Sequence, residues 1–115
     1  MTTAAEDLTT TLGPVFSGRF HPSVAKAGTS APYAVWMLVS AVPLSDFEGA
    51  TDLTNWRFQI DIFGREKLEV DELAEAAKTA MDAATLFKSV CLNQQDIWED
   101  PAQYYRVMLE FSVWR

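Results

Sequence analysis

The sequence contains very few of the residues from which catalytic and metal sites are built. Among its 115 residues there is one histidine, His21, and one cysteine, Cys91. A zinc site needs more ligands than these two residues supply, and a single cysteine cannot form an internal disulfide. The five glycines are scattered singly, so no glycine-rich phosphate loop is present. The sequence therefore predicts no catalytic residues, no metal and no cofactor. We interpret Cys91 as a small apolar side chain in a half-buried segment.

Clustered positive charge and long apolar runs are also missing. Nine Lys and Arg residues stand against sixteen Asp and Glu residues, which gives a net charge of −7. Because a nucleic-acid-binding surface needs clustered cations, we expect no specific nucleic-acid binding. The most apolar stretch, Ala31–Leu44, spans about 14 residues and contains two prolines, whereas a bilayer-spanning helix needs about 20. With no secretory signal in residues 1–20, we expect a soluble protein that is made in the cytoplasm and does not bind membranes.

The length of the chain predicts a single domain over residues 1–115, because 115 residues are enough for a core of its own. Thr3 and Glu6 form a capping-box pattern at the start of a short helix. The main helix is predicted over Glu69–Thr85, from an apolar stripe at helical spacing. Loops are predicted at Pro22–Pro32 and Leu44–Thr54, and a turn at Glu99–Ala102. The strands are predicted at Val15–His21, Tyr33–Ala41, Asn55–Phe63, Phe87–Trp98 and Tyr104–Arg115.

These elements predict an α+β fold, with a mainly antiparallel sheet of four to five strands packed against one principal helix. A short N-terminal helix completes it. In the strand Asn55–Phe63 the alternation is unbroken, which predicts a side chain directed inward at every second residue. The last strand is expected to form a hairpin with the segment Phe87–Trp98.

The last strand also contains the main candidate interaction residues. Every second side chain is apolar, as expected for a face that packs on the core. The opposite face mixes an aromatic residue, a methionine and charges, which is typical of a contact surface. Trp36, in the second predicted strand, is a further candidate for anchoring an interface. The predicted core residues are Tyr105, Val107, Leu109, Phe111 and Val113, and the predicted interface residues are Trp36, Arg106, Met108, Glu110 and Trp114.

Asp61 lies between two isoleucines in the middle of a predicted strand. A carboxylate there could act as an acid or a base. We favour an ion pair across strands with Arg106 or Arg57. His21 precedes Pro22 at a predicted strand end, and we interpret it as a surface or loop-packing residue.

Taken in order, three groups of residues resemble the tail completion proteins of long-tailed bacteriophages, also called tail-to-head joining proteins. The resemblance continues through the alanine-rich helix into the last strand and covers most of the chain from Val15 onward. Each motif is mostly a strand pattern, so their order and spacing carry the likeness. The residues are Gly18-Arg19-Phe20-His21-Pro22, Pro32-Tyr33-Ala34-Val35-Trp36, Phe58-Gln59-Ile60-Asp61-Ile62-Phe63, Tyr105-Arg106 and Leu109-Glu110-Phe111-Ser112-Val113.

The resemblance implies a structural virion-assembly protein that forms a ring, usually sixfold, at the end of the tail tube. Such a ring stops growth of the tube and offers a surface to the head connector. Its partners would be further copies of itself, tail-tube proteins and head-connector proteins, and its location the head–tail junction of the virion. No catalysis and no cofactor are implied. The net charge of −7 suits a subunit that lines a DNA passage, because acidic walls repel phosphates.

Two other classes of function stay open at this point. One is a small dimeric α+β barrel enzyme or ligand-binding domain, which would need an enclosed pocket with convergent polar groups from Arg57, Asp61 and His21. The other is an adaptor that pairs through an exposed edge of its sheet.

Overall fold

The computed structural model describes residues 2–46, 49–100 and 102–115, and the side chains of these residues except 45, 46 and 49–52. Two α-helices, one short 3-10 helix and one five-stranded sheet make up this part of the chain. In chain order the elements are α1 (Ala4–Leu12), the 3-10 helix Gly13–Phe16, β1 (Phe20–Pro22), β2 (Tyr33–Asp46), β3 (Gly49–Gly64), α2 (Lys67–Ala83), β4 (Lys88–Glu99) and β5 (Tyr104–Trp114).

The sheet has the order β1-β2-β3-β5-β4. All neighbouring strands are antiparallel except β1 and β2, which are parallel. The α+β fold predicted from the sequence is confirmed, and so is the hairpin between β4 and β5. The molecule is elongated, 52 × 25 × 24 Å. The β2–β3 pair extends past the end of β5, since β3 begins at Gly49 whereas its pairing with β5 begins at Asn55.

One face of the sheet packs against both helices and contains the core. Alternating residues of β3 and β5 are buried there together with the apolar stripe of α2 and the leucines of α1. We call this side the helix face; it is formed by Phe58, Ile60, Ile62, Val107, Leu109, Phe111 and Val113, all predicted to point inward. The other side is the open face, which carries Gln59, Asp61, Arg106, Met108 and Glu110 and is not covered by any helix in the described ranges.

The helix α1 follows the prediction closely. The Thr3 hydroxyl accepts a hydrogen bond from the Glu6 backbone N–H at 3.1 Å, and the Glu6 carboxylate accepts one from the Thr3 backbone N–H at 3.4 Å. This reciprocal pair satisfies two backbone donors that a helix start leaves unpaired. The helix α2 begins and ends two residues earlier than predicted, so Glu69 is the acidic residue in its first turn.

The predicted strand Val15–His21 is wrong in its first half. Val15 and Phe16 belong to the 3-10 helix, and Ser17 adopts a left-handed backbone conformation with φ 54°. Pro14 suits the start of such a helix because it has no N–H to leave unpaired. The tight turn brings Phe16 against Phe20, with ring centroids 5.7 Å apart, and both rings are buried in the core.

The predicted loop Leu44–Thr54 is also wrong, because β2 and β3 continue through most of it. Ser45 pairs with Ala50 and Asp46 with Gly49, while Phe47 and Glu48 of the prediction lie outside the described residues. Pro43 lies within β2, beyond the predicted end of this strand at Ala41. A proline is tolerated at edge positions and bulges, and the register shifts between Pro43 and Ser45.

Two further expectations change at the sheet edges. In the predicted strand Tyr33–Ala41, regular alternation places Ser40 on the same face as Trp36. A β-bulge at Val39 shifts the register, so Ser40 pairs with Arg57 and lies on the open face. Cys91 is exposed rather than half-buried, because β4 is an edge strand in which most residues are exposed and none is buried. The predicted turn between β4 and β5 is present at Asp100 and Ala102, and its Pro101 lies outside the described residues. In the described part of the chain, neither helix has the length and hydropathy required to span a membrane.

Candidate interaction surface

The open face carries a network of ion pairs around Asp61. Arg106 donates from Nε to Oδ1 of Asp61 at 2.9 Å and from Nη1 to Oε1 of Glu99 at 2.5 Å. The amide of Gln59 donates to the other oxygen of Asp61 at 2.9 Å. Asp61 is buried although no helix covers it, because these neighbours surround it. Burial opposes the charge of Arg106, but the hydrogen bonds to Glu99 and Asp61 outweigh it and hold the pKa of Arg106 above its ordinary value.

A second ion pair lies beside this network. Arg57 donates from Nη2 to Oε1 of Glu110 at 2.5 Å. The prediction that Asp61 pairs with Arg106 or Arg57 is confirmed for Arg106, while Arg57 pairs with Glu110 instead. Both predicted interface charges, Arg106 and Glu110, are therefore neutralised within their own chain. A partner would meet charges that are already paired there, three carboxylates with two guanidinium groups.

Aromatic rings cover the end of the open face where β2 begins and β3 ends. Tyr33 stacks on Phe63 with centroids 5.2 Å apart, and Tyr104 meets both rings edge-on at 6.2 and 6.4 Å. Arg65 lies over the ring of Tyr104 at 4.9 Å, and Arg106 over that of Phe63 at 5.7 Å. Burial raises the pKa of the Tyr33 hydroxyl, and the neighbouring Tyr104 contributes in the same direction. This cluster keeps aromatic surface beside cations, a combination enriched at protein interfaces.

Four of the five predicted interface residues share the open face. Arg106, Met108, Glu110 and Trp114 alternate along β5, and all are partly exposed. Near Trp114, the side-chain amide of Asn55 donates to the hydroxyl of Ser112 at 2.7 Å, so the polar pattern continues to this end of the strand.

Trp36 lies on the other side of the sheet. Its backbone pairs with that of Ile60, a residue of the helix face. Its ring stacks on Phe20 at 6.5 Å and meets Phe58 edge-on at 5.9 Å. It borders a shallow groove together with Ala5 and Thr9 of α1. The five predicted residues therefore form two surfaces rather than one.

Arg57, Asp61 and His21, which an enzyme or ligand-binding pocket would need to bring together, are separated in the sheet. His21 lies on β1 and Asp61 on β3, with β2 between them, so two strand spacings of about 4.8 Å separate their backbones. Arg57 is held by Glu110 on the open face. Within the described residues, no group of three or more potential metal ligands occurs. Asp61 and Arg57 are each held in an ion pair within the chain.

Sequence reasoning missed two parts of this surface. Glu99 was read as a turn residue, and the cluster of Tyr33, Phe63 and Tyr104 was not foreseen. The contact of Glu99 with Arg106 arises because β4 extends to Glu99 in its hairpin with β5. The aromatic cluster arises from strand order, since β3 lies between β2 and β5 and brings together residues far apart in sequence. The signals for the open face in the sequence were the alternation of β3 and β5 and the position of Asp61 between two isoleucines.

Comparison with known proteins is consistent with these features. The sequence model of the family described as Tail completion protein gp17 matches residues 3–115. A chain from the virion of a native gene transfer agent (GTA) particle has a similar fold, with a TM-score of 0.65, 19% identity, and coverage of 89% of this chain and 81% of that one. At this identity the likeness concerns the fold alone. A comparison with curated protein sequences finds no match. Because the family model spans nearly the whole chain, this protein belongs to the tail completion protein gp17 family, a family of phage tail structural proteins.

Proposed function

We propose that this protein forms a ring, with six copies as the expected number, at the end of the phage tail tube. The ring stops tube growth and offers a surface to the head connector at the head–tail junction. The family match over residues 3–115 is the observation that carries this proposal. The role is structural and requires no catalysis and no cofactor, which agrees with the paired state of the charges around Asp61 and Arg57.

Within this proposal, the open face of β5 contributes to contacts with other tail or head proteins. Arg106 and Glu110 keep their partners within the chain, so the exposed parts of Met108 and Trp114 are the contact groups. Interfaces are enriched in methionine and aromatic residues surrounded by polar groups, as here. Trp36 contributes separately, at the groove beside α1.

We also propose that the acidic charge of the protein faces the passage through the ring, since DNA must pass through a ring at the head–tail junction. Between Glu66 and Asp82 the chain contains six carboxylates and two lysines, and most of these carboxylate residues are exposed. An acidic surface repels the phosphate backbone, so the duplex slides instead of adhering. Measurable DNA binding at physiological salt would contradict this part of the proposal.

The main test is reconstitution with purified tail tubes. We expect negative-stain electron microscopy to show added ring density at one end of the tube and joining of tails to heads only after the protein is added. A monomeric state of the isolated protein in light scattering would not contradict the proposal, because the role requires ring assembly only on the tube. The measurement tests the proposal when tubes are present. A protein that stays monomeric and fails to bind tubes would overturn the proposal.

Contact through the open face is tested by Met108→Gln and Trp114→Gln. We expect loss of binding to tubes or heads with little change in stability. Leu68→Gln is the matched control, because Leu68 is exposed on α2 and lies away from the sheet. Equal binding by all three variants would exclude the open face as the contact surface.

A further inference from the structure

Two segments on opposite edges of the sheet lack a neighbouring strand. Along β2, the strand β1 covers only Ala34–Trp36, so the following residues 37–42 have no strand beside them on that side among the described residues. Along the opposite edge, β4 pairs only with β5 in the described structure. We call residues 37–42 the β2 edge segment and residues 88–93 the β4 edge segment.

The two segments lie at the same height in the sheet, where height means position along the strand direction. Following the backbone pairing across the strands, Val42 connects through β3 and β5 to Lys88. The other ends correspond in the same way, since Met37 connects to Asn93. Each segment also contains one β-bulge, at Val39 and next to Cys91, so the local bending that bulges cause falls at nearly the same height on both edges.

Both segments expose large apolar side chains. In the β2 edge segment, Val39 and Val42 are 51% and 52% exposed, and Met37 is 46% exposed. In the β4 edge segment, Val90 is 51% and Leu92 46% exposed. Solvent-facing edge strands are normally protected by charges that prevent pairing with other chains. The β2 edge segment has no charged residue and the β4 edge segment has only one, a lysine at its start.

The strand directions suit pairing between two copies. The β4 strand runs antiparallel to β5, which runs antiparallel to β3, which runs antiparallel to β2, so β4 is antiparallel to β2. Two copies placed side by side in the same orientation therefore bring the two edge segments together in antiparallel fashion. Such a contact uses different surfaces on the two copies, and contacts of this type generate rings when the rotation between copies closes.

Charge also favours a second copy of this protein as the partner of these edge segments. Lys88 stands at the height of Val42 and forms no ion pair with the described residues. Residues 43–54, which continue from Val42, contain three carboxylate residues and no lysine or arginine. Side-by-side pairing thus brings the cation of one copy to the residue of the next copy after which this acidic stretch of the sequence begins.

We infer that copies of this protein join by antiparallel pairing of the β4 edge segment of one copy with the β2 edge segment of the next. The sheets of neighbouring subunits become continuous, and the apolar side chains of the two segments pack against each other across the new strand pair, which reduces their exposure. This inference rests on the proposed ring and specifies how its subunits connect.

Disulfide trapping tests the contact, because Cys91 is exposed in the β4 edge segment. Leu38 stands at the height of Cys91 on the same face of the sheet and is 42% exposed. Directly paired residues lie close enough for a disulfide. Oxidation of the Leu38→Cys variant, assembled on tail tubes, should give a ladder of covalent multimers up to the ring size. The unmodified protein, with one cysteine, can give dimers at most.

Two controls make the result specific. Leu38→Cys combined with Cys91→Ser should give no ladder, and Leu68→Cys, with an exposed cysteine on α2, should give far less multimer than Leu38→Cys. Cysteines placed one at a time at residues 37, 39 and 40 detect a shifted register. A ring seen by electron microscopy with no ladder from any of these variants would overturn the edge contact and leave the proposed function intact. The absence of any ring on tubes would overturn both.

A substitution gives an independent readout. Leu92→Lys places a charge in the β4 edge segment at an exposed position, so we expect loss of ring formation with an unchanged unfolding midpoint. Leu68→Lys is the matched control and should assemble normally. Normal assembly of Leu92→Lys would contradict the inference.

Discussion

Arg115 donates a hydrogen bond from Nε to Oδ2 of Asp7 at 2.5 Å, which ties the residue after β5 to the helix α1. Asp7 is buried, and it also accepts a hydrogen bond from the Thr2 hydroxyl at 2.5 Å. The same arginine donates to the backbone carbonyl of Thr2. One guanidinium thus holds the N-terminal end of the chain and α1 against the end of β5.

Arg115→Gln should destabilise the protein, because it leaves the Asp7 carboxylate buried without its cationic partner. We expect a loss of about 1–3 kcal/mol in the free energy of unfolding. Urea denaturation at neutral pH measures it. The double variant Arg115→Gln with Asp7→Asn should recover part of the loss, since no buried charge is left. A loss below about 0.5 kcal/mol in the single variant would show that the pair contributes little.

The same carboxylate predicts a specific acid sensitivity. The hydrogen bond from Thr2 lowers the pKa of Asp7 below its ordinary value of 3.8; burial opposes this shift, and Arg115 adds to it. A depressed pKa stabilises the fold above the ordinary value, and this stabilisation is lost as the pH falls through the pKa of the folded state. As the pH falls below the ordinary value of 3.8, the unmodified protein should therefore lose more stability than Asp7→Asn. Parallel pH profiles would contradict this assignment.

Gly64 stands where β3 meets the start of α2, and it has no room for a side chain. A Cβ atom at this position would lie 2.6 Å from Cγ2 of Val70, which is fully buried. We expect Gly64→Ala to cost about 1–3 kcal/mol, because the core must shift to accept the added methyl group. Gly13→Ala is the matched control, with φ −51° and nothing within 4 Å of its Cβ position. It should be neutral or slightly stabilising in the same thermal unfolding measurement. Equal effects would refute the steric argument.

Leu109 and Met108 are consecutive residues of β5 on opposite faces. Leu109 is completely buried on the helix face, so Leu109→Ala should lose about 2–5 kcal/mol of stability. Met108 is partly exposed on the open face, and Met108→Ala should lose less than about 1 kcal/mol. Comparable losses in urea denaturation would indicate that the open face is covered in the isolated protein.

Deleting residues 110–115 should prevent folding as well as assembly. The deletion removes half of a strand that lies between β3 and β4, together with the buried residues Phe111 and Val113. If residues 1–115 form a single domain, the whole protein loses its cooperative transition, which circular dichroism during heating detects. Arg115→Gln is the control, because it keeps the strand intact. A soluble truncated protein with a cooperative transition would contradict the prediction.

Local pattern predicted the elements whose periodicity is uninterrupted. The capping box at Thr3, the alternation of β3 and β5, and the apolar stripe of α2 each depend on residues close together in sequence, and the structure confirms all three. The pattern failed near Val15 and over Leu44–Thr54. In the first region a short 3-10 turn buries two aromatic rings, and in the second cross-strand pairing extends a hairpin through residues of low strand propensity.

The alternation of the last strand was sufficient to distinguish its core residues from Arg106, Met108, Glu110 and Trp114. The sequence also determined the scarcity of catalytic groups and the likeness to tail completion proteins. Only the tertiary structure decided that Arg106 and Glu110 are neutralised within the chain, that Trp36 lies on the other side, and that two exposed edges stand at the same height. The physical reason is that side-chain alternation is a property of a single strand. Partners and edges depend on strand order and register, which bring together residues far apart in the chain.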